Sequence, residues 1–364
     1  MTVFRRAAGK QMANPGAVRD ARRWARGILP GVSRTFAISI RFLPGTLGDA
    51  VMIAYLLDRI ADTVEDDGAM RAAQKAELLD AFSVALDDAA AADAFPKLAA
   101  DVAGSSAHIE LLRRSDMACL LLRSLPEPTR RIVVQWVREM LTGMKKFVLL
   151  YPTGIRIQTV AEYREYCYYV AGTVGCMLTE LWREHAPSIG ERAYAGLWER
   201  CKTFGEALQT VNILKDIAWD AEHENAIYIP ARSLADNGSG HDTLLSPAHV
   251  EGNRAAVASF IDLAWRDLDE AFEYLVRLPR RAVAIRAFCV LPLLYAYATL
   301  RDLSATGAML RPGGSVKISR SEVRWLMAAG LLVLCSNRAL ALLVRRVRSR
   351  PFAPFAPTRA SATA

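Results

Sequence analysis

Two short acidic segments, each set in apolar sequence, constrain the fold of this chain more than any other feature. Residues 62–66 read DTVED, and residues 216–220, about 150 positions later, read DIAWD. Each segment has carboxylates at i and i+4, which a helix places on one face with Cβ atoms roughly 5–6 Å apart. A single such pair is most simply a solvated acidic face. Two pairs in apolar context instead predict a cage of four carboxylates, because charge near an apolar face must be neutralised.

The second segment ends a regular polar stripe. Gln209 and Asn212 precede it at helical spacing, with Leu, Val and Ile around them, which is typical of an inward-facing site. Carboxylate oxygens suit a hard divalent cation such as Mg²⁺, which usually completes its shell with phosphate oxygens. The predicted chemistry is metal-assisted departure of a diphosphate. The predicted metal ligands are Asp62, Asp66, Asp216 and Asp220.

Composition predicts an all-α protein, and its length fits either two domains or one large helical domain. Of the 364 residues, 52% are hydrophobic, helix formers dominate, and no hairpin turn joins two strand-like runs. Periodicity and turn residues predict long helices over 46–66, 127–150, 159–185, 190–220, 247–276, 279–305 and 319–347. Loops are predicted at 237–240 and 311–314, and disorder over 1–15. We expect a basic N-terminal segment over 1–27, the main domain over 28–335, and a basic helix end with a disordered tail over 336–364.

Charge restricts the expected partners. The formal net charge is +8, and arginines are concentrated near both ends of the chain. These ends contain no nucleic-acid reading motif, so nucleic acid is not an expected partner. Anionic lipids attract basic helix ends, so contact with the inner face of a membrane through Arg345, Arg346, Arg348 and Arg350 is one interpretation. Simple solvation of the termini is the other.

The cysteines and apolar runs indicate the compartment. Six cysteines without CxxC spacing, mostly in apolar helical sequence, predict buried free thiols in a reducing environment. The first twenty residues lack the apolar region of a signal peptide. The apolar run over 325–335 is too short to cross a bilayer. We therefore expect a cytoplasmic monomer with peripheral membrane contact.

Several ordered motifs resemble those of the squalene and phytoene synthase family. The matching segments are 33–36 (SRTF), 55–66 (YLLDRIADTVED), 143–144 (GM), 166–175 (YCYYVAGTVG) and 205–220, which places the resemblance over about 28–335. It implies a single-domain, all-α isoprenoid synthase fold around a central cavity. It also implies head-to-head (1'-1) condensation of two prenyl diphosphates, with Mg²⁺ held by the two aspartate segments.

Three further segments resemble the squalene synthase branch of that family. They read FCVLP over 288–292, ATL over 298–300 and VKISR over 316–320. In that branch the last segment is associated with a reductive, NADPH-dependent step, so the resemblance implies that Lys317 and Arg320 bind NADPH. The alternative interpretation of 316–320 is a basic helix start capped by Ser319 or Ser321.

The resemblance also implies roles for individual residues. Arg59 and Arg34 would contact phosphate oxygens, for which the guanidinium group is suited. Aromatic faces would stabilise an allylic cation, by roughly 2 kcal/mol or more each when desolvated. These aromatic residues are Phe36, Tyr55, Tyr166, Tyr169 and Phe288. The other predicted substrate-binding residues are Ser33, Val170, Val174, Leu178, Leu208, Gln209, Asn212 and Lys215.

Tyr166 is the candidate for proton abstraction or cation steering, and a buried core tyrosine is the alternative. Three residues depart from the family pattern. Lys215 stands where arginine is usual, Ala226 stands where the spacing to the following proline suggests an arginine, and Asp58 is an unusual acid beside the first segment. None of the five histidines is an expected metal ligand.

Two classes of function follow. The first is an enzyme that joins two farnesyl diphosphates into presqualene diphosphate and reduces this with NADPH to squalene. Phytoene, dehydrosqualene or hydroxysqualene synthesis, without the reductive step, is the alternative within that class. The second class is a non-catalytic helical assembly protein of the same fold.

Overall fold

The computed structural model describes residues 14–352, except for the side chain of Arg34. Over these residues the backbone forms seventeen α-helices and no β-strand, which confirms the all-α prediction. The helices are α1 (Pro15–Val32), α2 (Arg34–Ile40), α3 (Gly45–Glu65), α4 (Ala72–Ala85), α5 (Ala89–Leu98), α6 (Ser106–Arg113), α7 (Ser115–Ser124), α8 (Glu127–Leu150), α9 (Val160–Cys167), α10 (Thr173–His185), α11 (Glu191–Trp198), α12 (Cys201–Trp219), α13 (Ala231–Ala235), α14 (Val250–Arg277), α15 (Val283–Ala305), α16 (Arg320–Leu332) and α17 (Asn337–Ser349).

Side-chain caps fix several helix starts. The Ser33 hydroxyl accepts from the Phe36 amide at 3.1 Å and begins α2, and the Thr159 hydroxyl accepts from the Glu162 amide at 3.2 Å and begins α9. Ser319 accepts from the Glu322 amide at 3.1 Å and begins α16, as the capping interpretation predicted. Such caps satisfy amides that have no partner within the helix.

Helix α15 lies in the core. It is long and apolar enough to cross a membrane by length and composition, but 89% of its most apolar 18-residue stretch is buried inside the protein. It packs against α14, α16 and α17. Its fully buried Arg286 donates to the carbonyl oxygens of Leu275, Leu278 and Leu334 and to Asn337 Oδ1, which joins the end of α14 to the start of α17.

Three predicted helices are interrupted. A π-helical turn over Tyr168–Gly172 divides the predicted helix over 159–185. The predicted helix over 190–220 is broken between α11 and α12, and a second π-helical turn follows it over Asp220–Glu224. The predicted helix over 319–347 was also wrong, because the chain breaks after Leu332 and Ser336 caps a separate helix, α17, with its hydroxyl 3.3 Å from the Ala339 amide.

Most cysteines are buried, as predicted, but Cys335 in the break before α17 is exposed. Cys176 on α10 and Cys201 on α12 lie with their sulfurs 3.3 Å apart. Gly175 allows this close approach, because a Cβ there would lie 1.9 Å from the Cys201 carbonyl oxygen. The predicted disorder at both ends of the chain falls, for residues 1–13 and 353–364, outside the described residues.

Candidate active site

A cavity of about 530 Å³ lies inside the bundle, between α2, α3, α10, α12 and α15. The segment 316–318, before α16, also lines it. The structure brings fourteen of the predicted site residues to its wall. They are Ser33, Phe36, Tyr55, Arg59, Asp62, Val170, Val174, Leu178, Leu208, Gln209, Asn212, Lys215, Phe288 and Lys317.

Polar and apolar residues occupy different parts of the wall. On α3 the lining begins with Val51 and Ala54 and ends with Arg59 and Asp62. On α12 it likewise changes from apolar residues to Gln209, Asn212 and Lys215 toward the carboxyl end. The carboxyl ends of α3 and α12 therefore make a polar region, and their amino-terminal halves contribute to an apolar chamber.

The first acidic segment has its own cation. Arg59 Nη1 donates to Asp62 Oδ2 at 2.8 Å, and both side chains line the cavity. Burial raises the pKa of Asp62, although the Arg59 guanidinium opposes the shift. Burial and the Asp62 carboxylate raise the pKa of Glu65 to about 8. Asp66 lies outside the main cavity, on a smaller one of about 220 Å³ that Glu65 also lines.

The second acidic segment is arranged differently. Lys215 forms an ion pair with its neighbour Asp216, and Asp220 is buried at the start of the π-helical turn. Burial, Glu224 and Asp216 raise the pKa of Asp220 to about 9. Neither Asp216 nor Asp220 lines either of the two cavities. The four aspartates thus lie near one polar region but do not enclose one preformed cage.

Glu224, which the sequence prediction missed, lies between the two segments. It lines the smaller cavity with Asp66. A Cβ on Gly68, just after the first segment, would lie 3.1 Å from the His223 carbonyl oxygen. The chain after the first segment therefore contacts the π-helical turn over Asp220–Glu224. After burial, the Glu224 carboxylate is the largest influence raising the pKa of Asp66. Its i+4 spacing from Asp220 was the available signal, because that spacing shares one helix face.

The end of the second segment is held by loop 153–156. Asn225 has a left-handed backbone with φ 51°, and its side chain donates to the Thr153 carbonyl oxygen at 2.6 Å. Arg156 donates to the Asn225 carbonyl and side-chain oxygens, each at 2.6 Å. Gly154, with φ 111°, leaves room for this contact, because a Cβ there would lie 2.2 Å from the Asn225 carbonyl oxygen. We call these four residues the Asn225 clamp.

The acidic residues fit a divalent cation by their chemistry. Among the described residues no three His, Cys, Asp or Glu side chains converge closely enough to hold a metal without other ligands. Nevertheless the hard carboxylate oxygens of Asp62, Asp66, Asp220 and Glu224 share raised pKa values, for which burial is the first cause. A cation completed by phosphate oxygens would relieve this excess negative charge.

The aromatic predictions have different outcomes. Phe36, Tyr55 and Phe288 line the cavity. Tyr166 is buried behind the wall, where its hydroxyl donates to Tyr228 Oη at 3.2 Å and the rings stack with centroids 4.8 Å apart. Tyr169 packs its ring against Gly143, where a Cβ would lie 2.0 Å from the ring. The surroundings of Tyr166 are therefore those of a core tyrosine beside the acidic region.

The predicted basic residues also differ in where the structure places them. Lys317 lines the cavity, whereas Arg320 is exposed at the first turn of α16 and does not line it. The Arg34 side chain lies outside the described part of the structure. Ala226 is buried and follows the Asn225 clamp, so no cation stands there. His223 stacks on the exposed Trp219 with ring centroids 3.8 Å apart, which agrees with a surface histidine.

Several lining residues were not predicted. They include Met140, Met177, Phe204, Pro292, Tyr295, Thr299 and Asp58. Most lie on helices without an acidic motif, and an apolar residue on such a helix carries no sequence signal that separates a cavity from the core. Asp58 did carry a signal, since it lies one turn before Asp62 on the same face.

Comparisons with known proteins agree with this architecture of a helical bundle around a partly polar cavity. Residues 29–322 match the squalene/phytoene synthase family, so the chain belongs to that family. The chain is 28% identical over 301 residues to squalene synthase of Schizosaccharomyces pombe, covering 80% of this chain and 63% of that protein. It is 27% identical over 302 residues to squalene synthase LSS of Botryococcus braunii, covering 82% of this chain and 61% of that protein.

A solved structure shares the fold. The complex of TcSQS with the ligand BPH1237 superposes with a TM-score of 0.78 at 24% identity, covering 93% of this chain and 94% of that one. The chain spans about three fifths of the length of the two curated relatives. Family and fold are therefore established.

Proposed function

We propose that this chain is a prenyltransferase that condenses two prenyl diphosphates head to head. One observation carries the proposal most: a single cavity combines an apolar chamber with a polar region that contains Arg59, Asp62 and Lys215. A prenyl diphosphate has the same two parts, a long hydrocarbon chain and a charged head. Membership of the squalene/phytoene synthase family supports the same reaction class.

The chain's own residues would bind, orient and shield the substrates. Arg59 and Lys215 would hold diphosphate oxygens, and Gln209 and Asn212 would add hydrogen bonds at the same end. The apolar wall would exclude water from an allylic cation, and the lining aromatic rings would face it. The apolar residues in contact with the prenyl chains would be Met140, Val174, Met177, Leu178, Phe204 and Phe288.

Mg²⁺ is the expected cofactor of the polar region. The residues that would hold it are Asp62, Asp66, Asp216 and Asp220, with phosphate oxygens completing its shell. When bound, the ion would supply positive charge that stabilises the leaving diphosphate. Arg59 would keep Asp62 oriented toward the cavity through their 2.8 Å ion pair.

We further propose farnesyl diphosphate as the substrate, presqualene diphosphate as the first product, and NADPH-dependent reduction to squalene as the second step. Lys317 on the cavity wall would contact the phosphates of NADPH, and the loop at 311–314 beside it would allow entry. Arg320 would act from outside the cavity. Synthesis of phytoene, dehydrosqualene or hydroxysqualene is the alternative that the absent cation at Ala226 favours.

Product analysis by mass spectrometry tests this proposal. The protein is incubated with Mg²⁺ and either farnesyl or geranylgeranyl diphosphate, with and without NADPH. We expect squalene from farnesyl diphosphate with NADPH, and presqualene diphosphate or its breakdown products without it. An identical product with and without NADPH would exclude the reductive step. If no diphosphate is released under any condition, the non-catalytic assembly protein becomes the better hypothesis.

We also propose contact with an anionic membrane surface through α16 and α17. Leu332 and Leu342 are 87% and 64% exposed, and Arg346 lies over the Trp325 ring at 5.9 Å. Exposed apolar and basic groups together suit an interface with anionic lipid. Cosedimentation with phosphatidylglycerol vesicles should decrease with salt and with Leu332→Asp. Binding that salt and Leu332→Asp leave unchanged would contradict this surface.

A further inference from the structure

Asp58 is a buried carboxyl group on the cavity wall that the proposed chemistry has not yet used. It lies on α3, one turn before Asp62, and is only 8% exposed. Its Oδ1 atom is buried and has no hydrogen-bond partner among the described residues. It lines the cavity together with Tyr55, Arg59 and Asp62. A buried polar group without a partner destabilises a protein, so its position calls for a ligand or a chemical role.

The neighbouring polar groups are engaged with others, except that Arg59 Nε is buried without a hydrogen-bond partner among the described residues. Arg59 forms its ion pair with Asp62 at 2.8 Å, and its Nη2 lies 3.4 Å from His108 Nε2. The Tyr55 hydroxyl donates to the Val32 carbonyl oxygen at 3.3 Å. Asp58 therefore has no hydrogen bond or ion pair to another described residue, and the adjacent Arg59 guanidinium only partly offsets the cost of burying its charge. Burial, and then the Asp62 carboxylate, raise the pKa of Asp58 well above its ordinary value against the opposing Arg59 guanidinium, which favours the neutral carboxyl group.

A neutral carboxyl group has one O–H donor, whereas an ionised one has only acceptors. Beside a diphosphate, an ionised carboxylate would repel the substrate unless a cation lay between them. A neutral acid can instead donate to a phosphate oxygen, in the way that buried carboxylic acids elsewhere serve as hydrogen-bond donors. The place of Asp58, between the apolar chamber and Arg59, is where a prenyl chain would meet its diphosphate.

We propose that Asp58 is a catalytic residue that donates its proton to the departing diphosphate of a prenyl substrate. The inference rests on the proposed function. As the C1–O bond breaks, its electron pair stays on the diphosphate oxygen, and that oxygen takes the proton from Asp58. Asp58 then becomes a carboxylate beside the new allylic cation, which its charge stabilises. The step needs no oxidant or reductant.

The experiment compares Asp58→Asn and Asp58→Leu in the full chain with Mg²⁺ and farnesyl diphosphate. Leucine fills a similar space without polar atoms, and asparagine keeps a hydrogen-bond donor without an acidic proton. We expect single-turnover diphosphate release to fall roughly 100-fold in Asp58→Leu and by less in Asp58→Asn. The affinity for a non-reacting farnesyl thiolodiphosphate, measured by calorimetry, should change by less than about threefold in either variant. Asp101→Leu, at an exposed position outside the cavity, is the matched control.

Stability separates this role from a structural one. Because the Asp58 side chain has an unsatisfied buried oxygen, Asp58→Leu should keep or raise the Tm. Wild-type rates in both Asp58 variants would overturn the proposal, as would a loss of analogue affinity that matches the loss of rate. If the wild-type protein releases no diphosphate, the proposed function itself is refuted. If that protein nevertheless binds the analogue in the calorimeter, the substrate binds without ionising, and the role of Asp58 is refuted as well.

Discussion

The two acidic segments have the same carboxylate spacing but are supported in different ways. The first lies in the last turns of α3, a regular helix that ends at Glu65. The buried Asp67 carboxylate fixes its end through contacts no more than 36 positions away, since it accepts from the amides of Ala69 and Met70 at 2.9 and 3.0 Å. It also accepts from the Ala103 amide at 2.8 Å.

The second segment depends on distant sequence. It begins in α12 and continues into a π-helical turn, and its end is held by the Asn225 clamp across about 70 residues. The isolated bridge between Arg156 and Ile227 continues the same contact. Segments with the same carboxylate spacing can therefore have unequal structural support, and the second should be the more sensitive to changes far from it in sequence.

The largest expected effect is on turnover. Asp62→Asn and Asp216→Asn should each lower diphosphate release from farnesyl diphosphate by at least roughly 100-fold, because each removes charge from the polar region. Both variants should still fold, because each removes one of several clustered negative charges, and the cations left without an ion pair, Arg59 and Lys215, are 25% and 28% exposed. Near-wild-type rates in both variants would contradict the carboxylate site, and Asp80→Asn on α4 serves as the control.

The clamp gives the next largest effect. Gly154→Ala should lower the free energy of unfolding by about 2 kcal/mol, because it strains a φ of 111° and places Cβ against Asn225. Gly238→Ala is a matched control, since Gly238 also has a positive φ, 72°, but open space around its Cβ position. Denaturant unfolding measures both. Equal losses would mean that backbone strain alone acts and that the clamp contributes little.

Sequence reasoning succeeded where the information was local. Helical spacing placed Gln209 and Asn212 on the cavity wall, because a fixed 3.6-residue period decides which side chains share a face. The resemblance, not the spacing, pointed to Val170, Val174 and Leu178, which also line the cavity. The motif resemblance also led to the correct family.

Sequence reasoning failed where tertiary contacts decide the local backbone or the packing of a side chain. A π-helical turn adds a residue to a helical turn, and no pattern in the sequence at 168–172 predicted one. Tyr166, the candidate for proton abstraction or cation steering, packs on Tyr228, about 60 residues away in sequence, and no local pattern predicts that contact. The break before α17 did have a signal, because Ser336-Asn337 is a typical helix start.

A smaller effect concerns pH and is tested at Glu65 of the first segment. The pKa of Glu65 is raised from its ordinary value near 4.5 to about 8, so the folded protein binds this proton more tightly than the unfolded chain. The stability from protonated Glu65 is fully present below about pH 4.5 and is lost as pH rises toward 8. In EDTA, the Tm of the wild type should therefore fall between pH 5 and pH 8.

Glu65→Gln should reduce this fall, by roughly 1–2 kcal/mol of unfolding free energy, since glutamine does not ionise. The exposed Glu77→Gln is the matched control. Asp220 would still contribute a fall of the same sign, because its pKa is also raised, to about 9. A Tm that rises from pH 5 to pH 8 in the wild type would contradict the burial of both carboxyl groups.

The smallest effect tests the two cations. Arg59 uses separate nitrogens toward Asp62 and His108, which a single lysine ammonium cannot contact together. Arg59→Lys should therefore lower diphosphate release by up to about tenfold, whereas Lys215→Arg should stay within about threefold of wild type, since it keeps the charge and adds donors. Steady-state rates at saturating and limiting farnesyl diphosphate measure both. A larger loss from Lys215→Arg than from Arg59→Lys would reverse the comparison, and would mean that the second segment, not the first, fixes the position of the diphosphate.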